Sequence, residues 1–372
     1  MPIRLVIKAI DGKEAQMVHY ILPSVGTDVK LDRRCPHCRC PNGNIHSALQ
    51  QRAISDPKVP TIRQRRMRCP ACGNTWTLRA YGVRPGRQRS DRAIGMGVVL
   101  YMLGLSYRAV ESFLPCLDCR GGKSSIERDV EAAGLNAQAH HRAGMKTLRV
   151  RILGVDGTGA AMAGQNKGIL FFVDVDRTKL ICIEPIREED TWRVRQHVAK
   201  VMAAVGAQEL RSDEHSCYAG IVGEDRHRLC ATHWLKSKGK RAYDLRQRAI
   251  REGRPLEAQS MDQLLAILRL KPRPARAPPE LERLVTSYIT ARKGLLWEIN
   301  KLLQHVERTW EKVSDDPLDA TNNATERVIG LTFKIRSKTM RGFKSDAKVL
   351  AHPYLASFLR GQDGICDLQK VI

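Results

Sequence analysis

Two cysteine pairs near the start of the chain constrain its folding most. Cys35-Pro-His-Cys38 and Cys69-Pro-Ala-Cys72-Gly73 each set two thiols across a tight turn. Two such turns can aim four thiolates at one point, the tetrahedral sulfur cage that suits Zn²⁺. A redox Cys-x-x-Cys stands single in a βαβ setting, and that setting is absent here. The glycine after the second pair and Trp76 beyond it fit a zinc-ribbon hairpin, expected over residues 1–88 with one structural zinc. His37 and Cys40 are spare ligands at the first turn. The chain has eleven cysteines, an odd number, which argues against a disulfide framework. Its opening residues alternate like a strand, without the apolar core of a secretory leader. A cytoplasmic protein is expected.

Lys and Arg outnumber Asp and Glu by 63 to 39, a formal net charge of +24. Such an excess predicts a polyanionic partner, nucleic acid before an anionic membrane. The longest apolar run, residues 94–105, is too short to span a bilayer and is broken by glycines. No membrane role is expected. Between the cysteine pairs, Arg63, Arg65, Arg66 and Arg68 are candidate phosphate contacts. Arg84-Pro-Gly-Arg87-Gln-Arg89 then reads as a basic linker.

Residues 89–147 predict a helix-turn-helix domain. Ser90-Asp91 opens a helix carrying Ile94, Val98, Val99 and Met102 at helical spacing. Gly104-Leu-Ser106 breaks it, and Ser106 caps a second short helix. Ser124-x-x-Glu127 is a capping box for a third, expected to end near Gly134 and to read DNA. Lys123 and Arg128 are its candidate DNA contacts. Cys116 and Cys119 form a lone pair in the preceding loop.

The next stretch, VRILGVDGTG over 150–159, is an apolar strand that ends on Asp156. Two further apolar runs, 168–175 and 179–184, follow after short turns and complete an antiparallel meander. An amphipathic helix is expected over 188–205, with acidic residues in its first turn and Gly206 at its end. A short strand, 209–212, leads to Asp213. Three antiparallel strands, a helix, then a strand ending in Asp is the order of a ribonuclease H-like domain, in which the first and fourth strands lie side by side. Asp156 and Asp213 would then meet, and two ionised carboxylates that close call for a cation between them. Mg²⁺ or Mn²⁺ suits such oxygen ligands. Asp174, Asp176 and Asp225 are less attractive, two of them sitting in turns or loops.

A third carboxylate stands in Asn322-Asn323-Ala-Thr-Glu326-Arg327, followed by Lys334, Arg336 and Lys338 as candidate DNA contacts. With the strand ending in Asp156-Gly-Thr and with Ser212-Asp213 and Tyr218, this pattern resembles the DDE transposases of bacterial insertion sequences. The resemblance covers residues 148–345. It implies that Asp156, Asp213 and Glu326 are catalytic and hold two Mg²⁺ (or Mn²⁺) ions. Cys230-Ala-Thr-His233 matches a Cys-x-x-His that several such families carry, and is expected near the active site.

The stretch between Asp213 and Glu326 is far longer than one crossover needs. Residues 239–313 are expected to be a helical insertion, with a long helix over 280–313 bearing a broad apolar stripe. The fold class is therefore α/β: a ribonuclease H-like mixed sheet (148–238 and 314–372) with a helical insertion, preceded by a zinc ribbon and a helix-turn-helix domain. The expected activity is end binding, metal-dependent DNA strand cleavage and strand transfer. The expected partners are terminal inverted repeats, target DNA and a second copy of the chain. A regulator without catalysis and a nuclease without strand transfer are the alternatives.

Overall fold

A computed structural model describes residues 4–11, 14–145, 147–162, 165–270, 274–313, 324–339, 343, 345–360 and 364–372. It contains two compact units, Met1–Ala143 with Thr332–Ile372, and Gly144–Leu331. The fold is mixed α/β. Among the described residues no helix is long and apolar enough to cross a membrane.

The first unit opens with an antiparallel pair, β1 (Arg4–Asp11) and β2 (Glu14–Ile21). A second sheet is built around β5 (Thr61–Arg68), which pairs antiparallel with β3 (Asn44–Ile45), β4 (Gln50–Ala53) and β6 (Thr75–Arg79). Gly43 lies under the Trp76 ring. A Cβ there would meet the ring at 2.4 Å.

The arginines between this sheet and the first helix are not a free basic linker. Arg84 pairs with Asp91 at 2.8 Å, and Arg89 with buried Asp129 at 2.5 Å. Asp56 is also buried. It accepts from Ser90 Oγ at 2.5 Å, from Arg92 Nη1 at 3.1 Å and from the backbone N–H of Val59 at 2.8 Å. A buried charge persists only when paired and hydrogen-bonded. These bonds tie the ribbon to the helices within one unit.

The helices are α1 (Asp91–Met102), α2 (Tyr107–Phe113) and α3 (Lys123–Met145). Ser90 and Ser106 cap the first two as expected, accepting from Ala93 N and Ala109 N. The third runs past its expected end. Gly134 does not terminate α3; it admits Ala351, whose Cβ lies 2.8 Å from where a Gly134 Cβ would stand.

The second unit holds a five-stranded sheet. β7 (Ile152–Met162), β8 (Gln165–Asp174) and β9 (Lys179–Glu184) form the expected antiparallel meander. After α4 (Thr191–Val205) the chain returns as β10 (Glu209–Ser212), parallel to β7, and β11 (His227–Leu229), parallel to β10. The order is β11-β10-β7-β8-β9, so the first and fourth strands of the unit do lie side by side. Ile169 to Val173 of β8 are all buried. Helix α4 starts at Thr191, not at residue 188, because Asp190 is the cap and accepts from Arg193 N.

Four helices follow: α5 (Ala231–Arg251), α6 (Pro255–Leu268), α7 (Pro279–Tyr288) and α8 (Gly294–Thr309). They share a core in which Trp234 and Trp310 meet edge to face at 6.0 Å. Both indoles are satisfied, by Thr309 Oγ1 and by the Pro274 carbonyl, each at 2.9 Å. The expected single helix over 280–313 is two. The apolar stripe continues across the break, but Gly294 takes a left-handed φ of +66° that a helix interior does not use.

Helix α9 (Ala324–Ile329) follows, and a π-helical turn, Gly330–Lys334, leads to α10 (Ile335–Thr339), α11 (Asp346–Leu359) and β12 (Ile365–Asp367). The boundary between the units falls inside that turn, so 314–372 is not one continuation of the sheet domain. The physical reason is the pairing of the C-terminal part. β12 joins β2, Arg336 donates to the Gly104 and Leu105 carbonyls at 2.7 and 2.8 Å, and Lys348 pairs with Glu127 at 2.6 Å.

Within the second unit, Gly154 of β7 lies under α9. A Cβ there would stand 2.3 Å from Thr325 Oγ1 and 2.9 Å from Val175 Cγ2. Thr325 is buried and cannot swing aside freely. Gly154→Ala is expected to cost about 1–3 kcal/mol through overpacking, read as a lowered thermal midpoint. An unchanged midpoint would show that α9 packs loosely.

Candidate metal centres

The four ribbon cysteines converge. Cys35 Sγ lies 3.7 Å from Cys72 Sγ, and Cys38 Sγ lies 3.4 Å from Cys69 Sγ. All four sulfurs fall within 4.8 Å of one another. A tetrahedron of Zn–S bonds of about 2.3 Å has edges near 3.8 Å, so the spacing fits zinc. Both turns are built alike: Arg39 N donates to Cys35 O and Gly73 N to Cys69 O, and both donors have positive φ. Backbone hydrogen bonding, first from Cys72, lowers the Cys69 thiol to about 6. The Cys38 thiol rises to about 12, because the Cys69, Cys72 and Cys35 side chains and burial outweigh the backbone bond at Cys40. Four thiolates this close need a cation to ionise together. Cys40 is outside the cluster, and Cys116 and Cys119 join no group of three ligand side chains among the described residues.

The second centre is acidic. Asp156 sits within β7, opposite Phe171 of β8. Asp213 follows the last residue of β10, the strand that runs parallel beside β7. The third member is Glu188, from the loop between β9 and α4. One carboxylate oxygen from each of Asp156, Glu188 and Asp213 lies within 4.8 Å of the other two, and all three residues are half-buried. Burial first, then the charges of Asp213, Glu188 and Glu326, raise the Asp156 carboxyl to about 7, with His233 acting in the opposite sense. The donor set is all oxygen and anionic, which fits a hard divalent cation such as Mg²⁺ or Mn²⁺.

Glu188 owes its place to two other residues. A Cβ on Gly157 would lie 2.5 Å from the Glu188 carboxylate, so the glycine opens the slot that this side chain fills. Buried Tyr218 donates its hydroxyl to Glu188 Oε1 at 2.5 Å. Burial, followed by the Glu188 charge, raises the phenol and keeps it a donor. Gly157→Ala is expected to displace Glu188 and weaken Mn²⁺ binding about 10- to 100-fold, the usual cost of losing support around a ligand. Calorimetric titration checks this, with unchanged circular dichroism as the control.

Glu326 stands beside this cluster rather than in it. Its Oε1 is 2.8 Å from His233 Nε2. A hydrogen bond with Cys230, then the charges of Glu326 and Asp156, raise His233 to about 9 against the effect of burial. The contact with Glu326 is a hydrogen bond, and an ion pair when His233 is protonated. The structure thus brings the expected Asp156 and Asp213 together and sets His233 beside them, and it places Glu188 rather than Glu326 within ligand distance of both acids. Glu188 lies in Glu188-Glu189-Asp190, where acids read as partners of a helix dipole, and nothing in the sequence shows that Gly157 faces it. Asp174 and Asp176 are engaged elsewhere, by Arg177 and Arg151, each at 2.7 Å.

The expected DNA contacts differ in availability. Arg63, Arg66, Arg68 and Arg128 are exposed; Arg65, Lys123 and Lys334 are half-buried. Arg63 pairs with Asp28 at 3.0 Å, and Arg66 donates to Thr75 Oγ1 at 3.0 Å. Arg336 is corrected: it is buried, bound to two carbonyls and stacked over the Tyr101 ring at 4.3 Å, so it holds the fold. The side chain of Lys338, and Asn322 and Asn323 of the motif before Glu326, lie outside the described residues. No protein-family model matches this chain, and no curated protein matches it.

Proposed function

We propose that this chain is a DNA transposase of the DDE type. It binds the ends of its element, cuts DNA strands with divalent metal and joins the freed ends to target DNA. The observation that carries the reading is the meeting of Asp156 and Asp213 from adjacent parallel strands, with Glu188 beside them, in a chain of net charge +24. The strand order, three antiparallel followed by two parallel, supports a ribonuclease H-like reading of this sheet. On that reading, the zinc ribbon and α1–α3 recognise terminal inverted repeats, and two copies of the chain serve the two ends in the cytoplasm.

Asp156, Glu188 and Asp213 would hold the metal, with Tyr218 fixing Glu188. Bound divalent ions supply charge stabilisation to the attacking and leaving oxygens of an in-line displacement. His233 faces Glu326 through Nε2 and, when protonated, presents positive charge beside the acids, where a phosphate oxygen gains from it. Glu326, the third acid by resemblance, bonds His233 through Oε1, and a carboxylate has a second oxygen that can face a cation. A nuclease that cuts without joining is the second reading, since the same carboxylate set serves either displacement.

The test is to incubate the protein with Mg²⁺ or Mn²⁺, DNA carrying the sequences that flank its gene, and a supercoiled target. Free 3′-OH ends at the element boundary plus joined product support the transposase. Cutting without joining selects the nuclease, and binding without cutting selects a regulator.

A further inference from the structure

Asp213 enters the acidic centre from a short turn. Its Oδ1 accepts from the backbone N–H of His215 at 3.0 Å, so the carboxylate and the turn 213–215 are fixed together. Glu214 stands in the middle of that turn and joins no group of three ligand side chains among the described residues. Both of its carboxylate oxygens are nevertheless engaged, one by each of two helices. Oε2 meets Lys238 Nζ of α5 at 2.6 Å, and Oε1 meets His305 Nε2 of α8 at 2.6 Å.

The direction of the second bond follows from its outer end. Arg308 Nη2 lies 3.2 Å from His305 Nδ1. A guanidinium has no acceptor, so Nδ1 accepts, and the ring proton on Nε2 is left to face Glu214. Lys238, on the other side, is 9% exposed. A buried ammonium persists only beside a counter-charge, and Glu214 supplies it.

The two helices are cross-linked beside these contacts. Trp234, one turn before Lys238, donates its indole N–H to Thr309 Oγ1 at 2.9 Å. Thr309, one turn after His305, donates in turn to the His305 carbonyl at 2.7 Å. The spacing between Lys238 and His305 is thereby set within the helical region, and Glu214 is gripped at that spacing. A shift of α5 against α8 would move Glu214 and, through one peptide bond, Asp213.

We propose that Glu214, Lys238 and His305 form a positioning clamp through which α5 and α8 hold Asp213 in place and set the affinity of the acidic centre for a divalent cation. The clamp presupposes the metal reading above and adds control of that site by the helical region. By linkage, a cation bound at the centre must steady the two helices in return.

The test uses the full-length protein and Mn²⁺, by calorimetric titration and by backbone hydrogen exchange with and without the ion. His305→Leu removes the donor and is expected to weaken Mn²⁺ binding about tenfold or more, the usual scale for losing support around a ligand. His305→Gln offers an amide N–H in place of Nε2–H and should restore most of the affinity, which a space-filling role would not explain. Lys238→Met keeps the apolar stem, loses the charge and should behave like His305→Leu. In the wild type, Mn²⁺ should slow exchange around residues 238 and 305; in His305→Leu that protection should be lost. Thermal midpoints without metal are measured alongside, and the wild-type exchange experiment needs no variant to fold. Equal Mn²⁺ affinity in His305→Leu and wild type, or an equal loss in His305→Leu and His305→Gln, overturns the clamp and leaves the metal reading intact. So does exchange in α5 and α8 that ignores Mn²⁺ in a wild type that binds it. A wild type that binds no Mn²⁺ overturns both.

Discussion

Asp213→Ala is expected to abolish Mg²⁺-dependent strand cleavage while leaving duplex DNA binding intact. The carboxylates are donors to a cation that must stabilise charge worth several kcal/mol in the transition state, so the rate should fall by roughly 10³-fold or more. On the proposed reading, duplex binding rests on the cysteine ribbon and helices of the other unit and should not follow. Asp156 adds a pH signature. Burial and its acidic neighbours hold its carboxyl near 7, against an ordinary value of 3.8. Between these two values the folded protein keeps a proton that the unfolded chain has released. Without metal, stability therefore falls as pH rises from 4 to 7. Metal binding displaces that proton, so Mn²⁺ affinity should rise with pH by up to about tenfold per unit below 7 and level off above it. In Asp213→Asn one of the repelling charges is gone, and the inflection should move to lower pH. Thermal melts and calorimetric titrations from pH 5 to 8 provide both curves. Affinity that is flat across this range, or full cleavage by Asp213→Ala, would sink the assignment.

What the sequence made legible was the part of the chain where local pattern and tertiary placement agree. The cysteine spacing and the meander of three apolar runs are local signals, and both appear where they were expected. The juxtaposition of Asp156 and Asp213 follows from strand order alone, since β10 runs beside β7. Glu188 was hidden because its position depends on a glycine in another strand and on a tyrosine from a loop. Neither relation has a sequence period. Arg336 was misread for a similar reason: a basic residue in a basic run reads as solvated, yet two carbonyls exposed at the end of α1 bind it inside the fold. The break before α8 was missed because the apolar stripe is indifferent to one left-handed glycine. Burial patterns identify which face of a segment is covered, and they are silent on which side chain from elsewhere covers it.

Removing the zinc proposed for the four ribbon cysteines is expected to have the second large effect. Cys69→Ser, or chelation of the wild type, is expected to unfold residues of the β3–β6 sheet and to weaken duplex DNA binding by about 100-fold or more. The sheet's own apolar core is small. Its separate apolar cluster is Ile54, Ile62, Ala80 and Val83. Four small or medium side chains contribute on the order of 6–10 kcal/mol of burial at best. A structural zinc supplies roughly 10–16 kcal/mol of apparent binding free energy at neutral pH, more than that cluster does. Cys40→Ser is the informative control, since Cys40 lies outside the sulfur cluster; it should keep one zinc per chain. The centre should resist protons down to the range where Cys69, whose thiol is already lowered to about 6, is protonated. Loss of zinc should therefore steepen below pH 6. Atomic absorption measures the metal and limited proteolysis measures the unfolding. The acidic centre, built within the other unit, should bind Mn²⁺ with unchanged affinity throughout. If Cys69→Ser retains one zinc per chain and a protease-resistant ribbon, the four-cysteine site is not what holds this sheet together, and the buried Asp56–Arg92–Ser90 node must do so instead.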